Sequence, residues 1–252
     1  MNESTASADN LCRLGFSFAR GTHDAWVACA RLVDLAAGDA APGSWLSPAE
    51  LRQYSQFQFE LRQRSFLLGR LAAKRAVARS LGEPDLKLVE LSNGVLGQPL
   101  VRAGGGFAPE VTLSHWNSGA VAVGSPAGYL FGIDFEPVEP SGVDTIRSHL
   151  ALTRLEREWA ESGRVPAEQA YTLLWTTREA LGKATRCGIL APIEILEATA
   201  FTALGEGAWQ TEYRNFPQFK CLSWMSAKAV LSLAYPSQVS LSLVNLPGLL
   251  GF

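Results

Sequence analysis

Gly132-Ile133-Asp134-Phe135-Glu136-Pro137 is the stretch from which the rest of the chain can be read. Apolar and acidic residues alternate along it. Side chains two apart on a strand leave the same face, so Ile133 and Phe135 are expected to enter a core while Asp134 and Glu136 project together. Two carboxylates side by side repel and should not share a buried face without a cation. Hard oxygen ligands at this spacing suit Mg2+, which takes one or two carboxylates plus waters and phosphate oxygens. Two acids facing water at a strand end would fit the same spacing.

Working outward, a strand over residues 130–136 opens the second of two cycles of strands and helices. A Pro-Gly loop follows it, then helices over about 141–162 and 167–186, and strand-like pieces at 193–201, 207–213, 220–224 and 227–235. The first cycle reads similarly. It has a strand at 25–35, a Pro/Gly loop at 38–48 and a helix start at Ser47-Pro48-x-Glu50, with an N-cap, a proline in the first turn and an acid to match. Residues 60–81 form an amphipathic helix ended by Gly82 and Pro84. Its apolar face carries Leu61, Leu68, Leu71, Ala72 and Ala76, and Arg62, Arg64, Arg70, Lys74, Arg75 and Arg79 form a solvated basic face. Strands at 87–91, 111–114 and 120–124 complete that half, with loops at 93–99 and 104–109. The order of elements predicts an α+β architecture of two similar α/β lobes. Residues 1–22 are expected as a flexible arm, 23–128 as the first lobe and 129–252 as the second, which carries the acids.

Composition narrows the possible partners. In 252 residues the chain is 47% hydrophobic and 18% charged, which excludes disorder throughout. With 22 Lys and Arg against 24 Asp and Glu, net charge -2, nothing draws the whole molecule to nucleic acid or to an anionic membrane. An anionic ligand must therefore meet a local cluster. Cys12, Cys29, Cys187 and Cys221 lie far apart with no C-x-x-C pair, so a reduced cytoplasmic chain is expected. No apolar run is long enough for a membrane span, and the N-terminal residues do not read as a secretion signal.

Two further segments can carry chemistry. In Trp175-Thr176-Thr177-Arg178-Glu179-Ala180-Leu181-Gly182-Lys183, Glu179 and Lys183 stand one helical turn apart, a spacing that serves either a surface ion pair or an acid-base face. Leu113-Ser114-His115-Trp116 places a hydroxyl and an imidazole at a strand end, where a structural hydrogen-bonding histidine is the ordinary alternative to a ligand.

Together these segments resemble the Sfp-type 4'-phosphopantetheinyl transferases, in family order, from about residue 47 to 236. Ser47-Pro48, Arg64 and Phe66-Leu67-Leu68-Gly69-Arg70 look like the family's first helix. Asn93-Gly94-x-x-Gly97-Gln98-Pro99 is similar to its N-x-x-G-K-P turn, and Val111-Thr112-Leu113-Ser114-His115 to its F-N-L-S-H strand. Gly132 to Glu136 is similar to its G-I-D-I-E, and Trp175 to Lys183 to its W-[ST]-x-K-E-[AS]-x-x-K helix, followed by the fitting Gly188-Ile189-Leu190. Gln98 and Arg178 replace two usual lysines: Gln98 keeps a hydrogen-bonding group but loses a charge that would face the substrate's phosphates, and Arg178 keeps the positive charge of the residue it replaces. Trp116-Asn117-Ser118 replaces a smaller turn.

The resemblance implies a pseudo-dimer of the phosphopantetheinyl transferase fold, a monomer with its active site in the cleft between the lobes. It implies transfer of the phosphopantetheine arm of coenzyme A to a serine of an acyl, peptidyl or aryl carrier protein, releasing 3',5'-ADP. Asp134, Glu136 and Glu179 would hold Mg2+, Glu179 would also be the general base, and Lys183 would offset charge on the pyrophosphate. Arg64, Gly97, Ser114 and His115 would bind coenzyme A. The rivals are a non-catalytic module that binds coenzyme A or a carrier, and another Mg2+-dependent phosphotransferase. The latter is disfavoured by the lack of a G-x-x-x-x-G-K-[ST] loop.

Overall fold

The computed structural model describes residues 10–19, 21–36, 41–102, 109–139, 143–188, 192–242 and 246–251. The chain begins with strands β1 (Leu11–Phe18) and β2 (Gly21–Arg31), then helices α1 (Leu32–Ala36), α2 (Pro42–Trp45), α3 (Pro48–Tyr54) and α4 (Glu60–Leu81). Strands β3 (Glu90–Asn93), β4 (Pro99–Arg102), β5 (Glu110–Trp116) and β6 (Gly119–Ser125) follow. The second cycle is β7 (Gly132–Pro137), α5 (Val143–His149), α6 (Arg154–Ala160), α7 (Ala167–Ala184), β8 (Ala198–Gly205), β9 (Ala208–Tyr213), β10 (Phe219–Met225) and β11 (Ala229–Pro236). β12 (Ser240–Leu241) and α8 (Leu246–Leu250) come last. Among the described residues no helix is long and apolar enough to cross a membrane.

This is a mixed α+β architecture, and its described residues fall into two compact units. One comprises the chain up to Gly94, Pro99–Gly128 and Ser240–Gly251; the other comprises Val95–Gln98 and Tyr129–Val239. The first has an antiparallel sheet ordered β12-β1-β2-β6-β5 and the pair β3-β4; the second has an antiparallel sheet ordered β7-β11-β10-β9-β8. In each, the long helix lies on the sheet. Alanines 28 and 30 of β2 and 120 and 122 of β6 meet Leu68, Leu71, Ala72 and Ala76 of α4. Small residues let the helix come close: a Cβ at Gly124 would lie 2.8 Å from the Ala76 backbone.

Several expectations are corrected. Part of the expected arm is a strand, because Leu14 and Phe16 alternate inward and β1 pairs with β2 from Leu11↔Ala28 to Phe18↔Gly21; residues 1–9 and Arg20 lie outside the described residues. Most of the expected 104–109 loop and Ile189-Leu190 lie outside them too. The chain's end belongs to the first unit, since β12 pairs with β1 and Arg31 donates to the Leu249 carbonyl at 2.7 Å. The strand expected at 25–35 stops at Arg31 and continues as α1. The helix expected at 141–162 is two helices. Ala151 takes a left-handed φ of 42°, and Thr153, in extended backbone, starts α6 as an N-cap.

The basic face of α4 is only partly solvated. Lys74 has no exposed surface and Arg70 is buried, because the middle of α4 is covered on nearly every side. Lys74 Nζ pairs with Glu50 Oε2 at 2.7 Å, and Arg70 lies 3.6 Å from Glu50 Oε1. Glu50 also closes the capping box of α3 with Ser47 and accepts the Leu91 N–H at 3.2 Å.

The second unit repeats this device. Glu156 closes the capping box of α6 with Thr153, accepts the Ala198 N–H at 3.0 Å, and pairs with Arg178 of α7 at 2.5 Å. Arg178 also donates to the Leu150 carbonyl. In both units one buried glutamate ties a short helix, the edge of a strand and a buried cation of the long helix. The recurrence of the same side-chain chemistry is a firmer mark of two similar α/β lobes than the order of elements.

Removing one partner of a buried pair leaves an uncompensated charge inside, so Arg178→Met should cost about 3–5 kcal/mol of unfolding free energy. Urea denaturation at neutral pH measures it. A loss within the range of an exposed pair, about 1 kcal/mol or less, would mean that the pair does not clamp α7.

Candidate active site

β7 runs beside β11 with Ile133↔Leu233, Asp134↔Ser232 and Glu136↔Val230 in register. Its face toward α7 is opened by Gly132, where an added Cβ would fall 1.9 Å from the Ala180 carbonyl oxygen and 2.5 Å from the Ala184 nitrogen. Only glycine permits that approach. Two residues further along the same face is Asp134, 2% exposed, and two further again is the half-buried Glu136. α7 lays Glu179 and Lys183 over them.

Lys183 Nζ donates to Asp134 Oδ1 at 2.6 Å and to the Ile133 carbonyl at 3.2 Å. Its ion-pair partner is thus Asp134, across the helix-strand contact, and not Glu179 one turn away on the same helix. Burial, then the nearby Asp134 charge, pushes the Glu179 carboxyl up to about 7, against the pull of Lys183. Burial and Asp134 do the same for Glu136, raised to about 7, while a hydrogen bond from the Trp175 side chain and the charge of Lys183 favour its ionised form. Trp175 has a role here that the sequence did not suggest; its indole N–H can only donate.

Three carboxylates and one ammonium therefore share a mostly buried site, all supplied by the second unit. The donor set is oxygen only and carries excess negative charge, the chemistry that suits Mg2+. As placed, no group of three or more His, Cys, Asp or Glu among the described residues closes around a single metal position; Lys183 is the cation at the acids. The site fits a divalent ion by its donor chemistry and charge.

The remaining candidates lie on other elements. Arg64 of α4 pairs with the exposed Glu60 at 2.9 Å. Gly97 takes a φ of 82° in the β3–β4 turn, where only the backbone, and no neighbour within 4 Å, asks for glycine. Gln98 Oε1 accepts the Leu96 N–H at 2.9 Å, a turn bond that a lysine, having no acceptor, could not make. Ser114 and His115 are consecutive on β5, so their side chains leave opposite faces: Ser114 is buried and His115 exposed. Arg178 keeps its charge, but wholly buried against Glu156. Trp116 folds over Gly119, whose added Cβ would come within 2.4 Å of the indole. A cavity of about 540 Å3 opens in the first unit beside Arg79 and the Arg75–Asp34 pair, and none of the expected site residues lines it.

Comparison with known proteins bears on the acid site. Residues 130–233 match the model of the 4'-phosphopantetheinyl transferase superfamily. No curated protein matches the chain. Among solved structures, the chain is similar to the holo-(acyl-carrier-protein) synthase from Bacillus anthracis str. Ames in complex with CoA (3',5'-ADP), at 19% identity over 46% of this chain and 97% of that one, TM-score 0.37. The holo-[acyl-carrier-protein] synthase of Neisseria meningitidis shares 20% identity over 40% of this chain and 94% of its own, TM-score 0.34. That of Thermotoga maritima shares 20% over 51% and 78%, TM-score 0.31. Asp134, Glu136, Glu179 and Lys183 all fall within the residues that match the 4'-phosphopantetheinyl transferase superfamily.

Proposed function

We propose that this protein transfers the 4'-phosphopantetheine arm of coenzyme A to a serine hydroxyl of an apo carrier protein, releasing 3',5'-ADP. The observation that carries the reading is the cluster of Asp134, Glu136, Glu179 and Lys183 on β7 and α7, inside the segment that matches the transferase superfamily. In the reaction the serine oxygen forms a bond to the β-phosphorus of coenzyme A. The bond from that phosphorus to the bridging oxygen breaks, and the serine proton is taken up by a base. Such a transfer needs alignment and charge neutralisation more than covalent help from the protein.

Glu179 suits the base, because its carboxyl, raised to about 7, exchanges a proton readily at neutral pH. Lys183 would offset the charge that builds on the 5'-phosphate of the departing 3',5'-ADP. Asp134, Glu136 and Glu179 would hold Mg2+, whose charge neutralises pyrophosphate oxygens. The Trp175 bond to Glu136 favours that carboxylate in its ionised, ligating form. The contacts to coenzyme A proposed from the family motifs are Arg64, Gly97, Ser114 and His115. The carriers would be acyl, peptidyl or aryl, and the enzyme a cytoplasmic monomer of Sfp type.

Glu179→Gln keeps size and removes both the base and a ligand charge, so turnover should fall about two to four orders of magnitude. Steady-state kinetics on one apo carrier decide it. A Gln variant that turns over at the wild-type rate contradicts both roles and favours a module that binds without transferring.

Metal-free stability gives a second test. Glu136 and Glu179 have folded-state values raised above their unfolded ones, so they hold protons that the unfolded chain has lost, and stability falls as pH rises from about 4.5 to about 7. Glu136→Gln should therefore raise Tm at pH 8 in EDTA, with little change at pH 4.5, and Mg2+ should favour the wild type at pH 8. A variant that melts lower than the wild type at pH 8 in EDTA contradicts the crowding of charge.

A further inference from the structure

Between α7 and its sheet runs a row of hydroxyl groups that the reaction itself does not use. Ser223, Ser232 and Asp134 are cross-strand neighbours on β10, β11 and β7, in one line across the sheet face that α7 covers. Ser232 Oγ lies 2.8 Å from Ser223 Oγ, and on its other side 2.8 Å from Thr176 Oγ1 of α7. All three hydroxyl residues have no exposed surface. Nearby, Tyr213 OH donates to the Thr177 carbonyl at 2.8 Å, a second polar tie from the sheet to the same turn of helix.

Apolar packing alone would leave α7 free to settle at several nearby registers, since it is not directional. The small residues Gly132 and Ala234 beneath it offer no bulky side chain to block sliding. A buried hydroxyl is different. A shift that separates Thr176 from Ser232 breaks a buried, directional hydrogen bond, while Thr176 Oγ1 keeps the Leu173 carbonyl at 3.2 Å and Ser232 Oγ keeps Ser223 at 2.8 Å. Thr176 stands three residues before Glu179 and seven before Lys183, close to one helix face. Ser232 stands directly opposite Asp134. The register of one hydrogen bond is therefore tied to the distance between the acid on the strand and the two charged groups on the helix.

We propose that Thr176, Ser232 and Ser223 are positioning residues of the acid site: their hydroxyl chain fixes α7 against β11 so that Lys183 reaches Asp134 and Glu179 is held beside the same acid. The inference rests on the transferase reading for its metal and its reaction, and on the chain's own geometry for the residues. Outer groups that orient ligands commonly change metal affinity or activity by about 10–100-fold when removed.

The test compares wild type with Thr176→Val, Thr176→Ser, Ser232→Ala and the double variant Thr176→Val/Ser232→Ala. Calorimetry gives Mg2+ affinity, kinetics on one apo carrier give kcat and KM, and melting in EDTA reports the fold. Thr176→Val and Ser232→Ala should each weaken Mg2+ about tenfold and lower kcat while carrier KM holds. Thr176→Ser should restore both, and the double variant should be no worse than the poorer single one, since the two hydroxyls act as one unit. If Thr176→Val does not fold, Ser223→Ala at the far end of the row carries the same expectation. Variants that melt lower yet keep wild-type Mg2+ affinity and kcat overturn the inference alone. A wild type that neither binds Mg2+ nor transfers overturns the transferase reading and the inference with it.

Discussion

Arg178 has no exposed surface and so needs a carboxylate inside the protein, which Glu156 provides at 2.5 Å. The pair does more than offset a buried charge. Successive residues on a helix point about 100° apart, so holding residue 178 inward against α6 turns residue 179 out of that interior. Glu156 is itself committed three ways, to the cap of α6, to the Ala198 N–H and to the guanidinium. It cannot move without stranding several partners, and neither can the helix it holds. Rotation of α7 about its axis is thereby set before the active site is considered.

Translation and depth are set by other means. Gly132 lets α7 sit so close to β7 that any side chain there would strike the Ala180 carbonyl. At that depth Asp134 loses nearly all contact with water, and Glu136 and Glu179 are pushed toward neutrality by burial and then by the charge of Asp134. One lysine compensates part of this. A structure selected for stability alone would not place three acids so close together, which is why the cluster reads as a place for a cation and for proton exchange. The first unit repeats the glutamate clamp with Lys74 in place of Arg178, but the residue after it is Arg75, engaged with Asp34. The scaffold is duplicated while the acid chemistry is confined to one copy.

Much of this was legible in the sequence where the signal is local. α4 runs from Glu60 to Leu81 as its apolar spacing and Gly82 predict, and the alternation in β7 correctly paired Asp134 with Glu136. Proximity of Glu179 and Lys183 to that pair was legible only through the order of family motifs. Long-range facts were not legible. Arg70 and Lys74 occupy polar positions on a helical wheel, and only the fold shows that those positions face Glu50. The pairing that makes Leu11–Phe18 a strand depends on β2, and serine and glycine around it mask the alternation of Leu14 and Phe16. Arg178 looked like a charge-keeping substitute for a usual lysine, whereas its partner lies 22 positions away in the chain, at the cap of another helix.

The central claim is that the acids and lysine gathered by α7 and β7 carry out a Mg2+-dependent group transfer. The most direct measurement is the intact mass of a panel of apo carrier proteins after incubation with the full-length chain, coenzyme A and Mg2+, beside a parallel incubation in EDTA. The account predicts that at least one carrier gains the mass of one phosphopantetheine arm with Mg2+ and none does in EDTA. Carriers that stay in the apo form across the panel while a known transferase modifies them under the same conditions, or that are modified equally in EDTA, would contradict it.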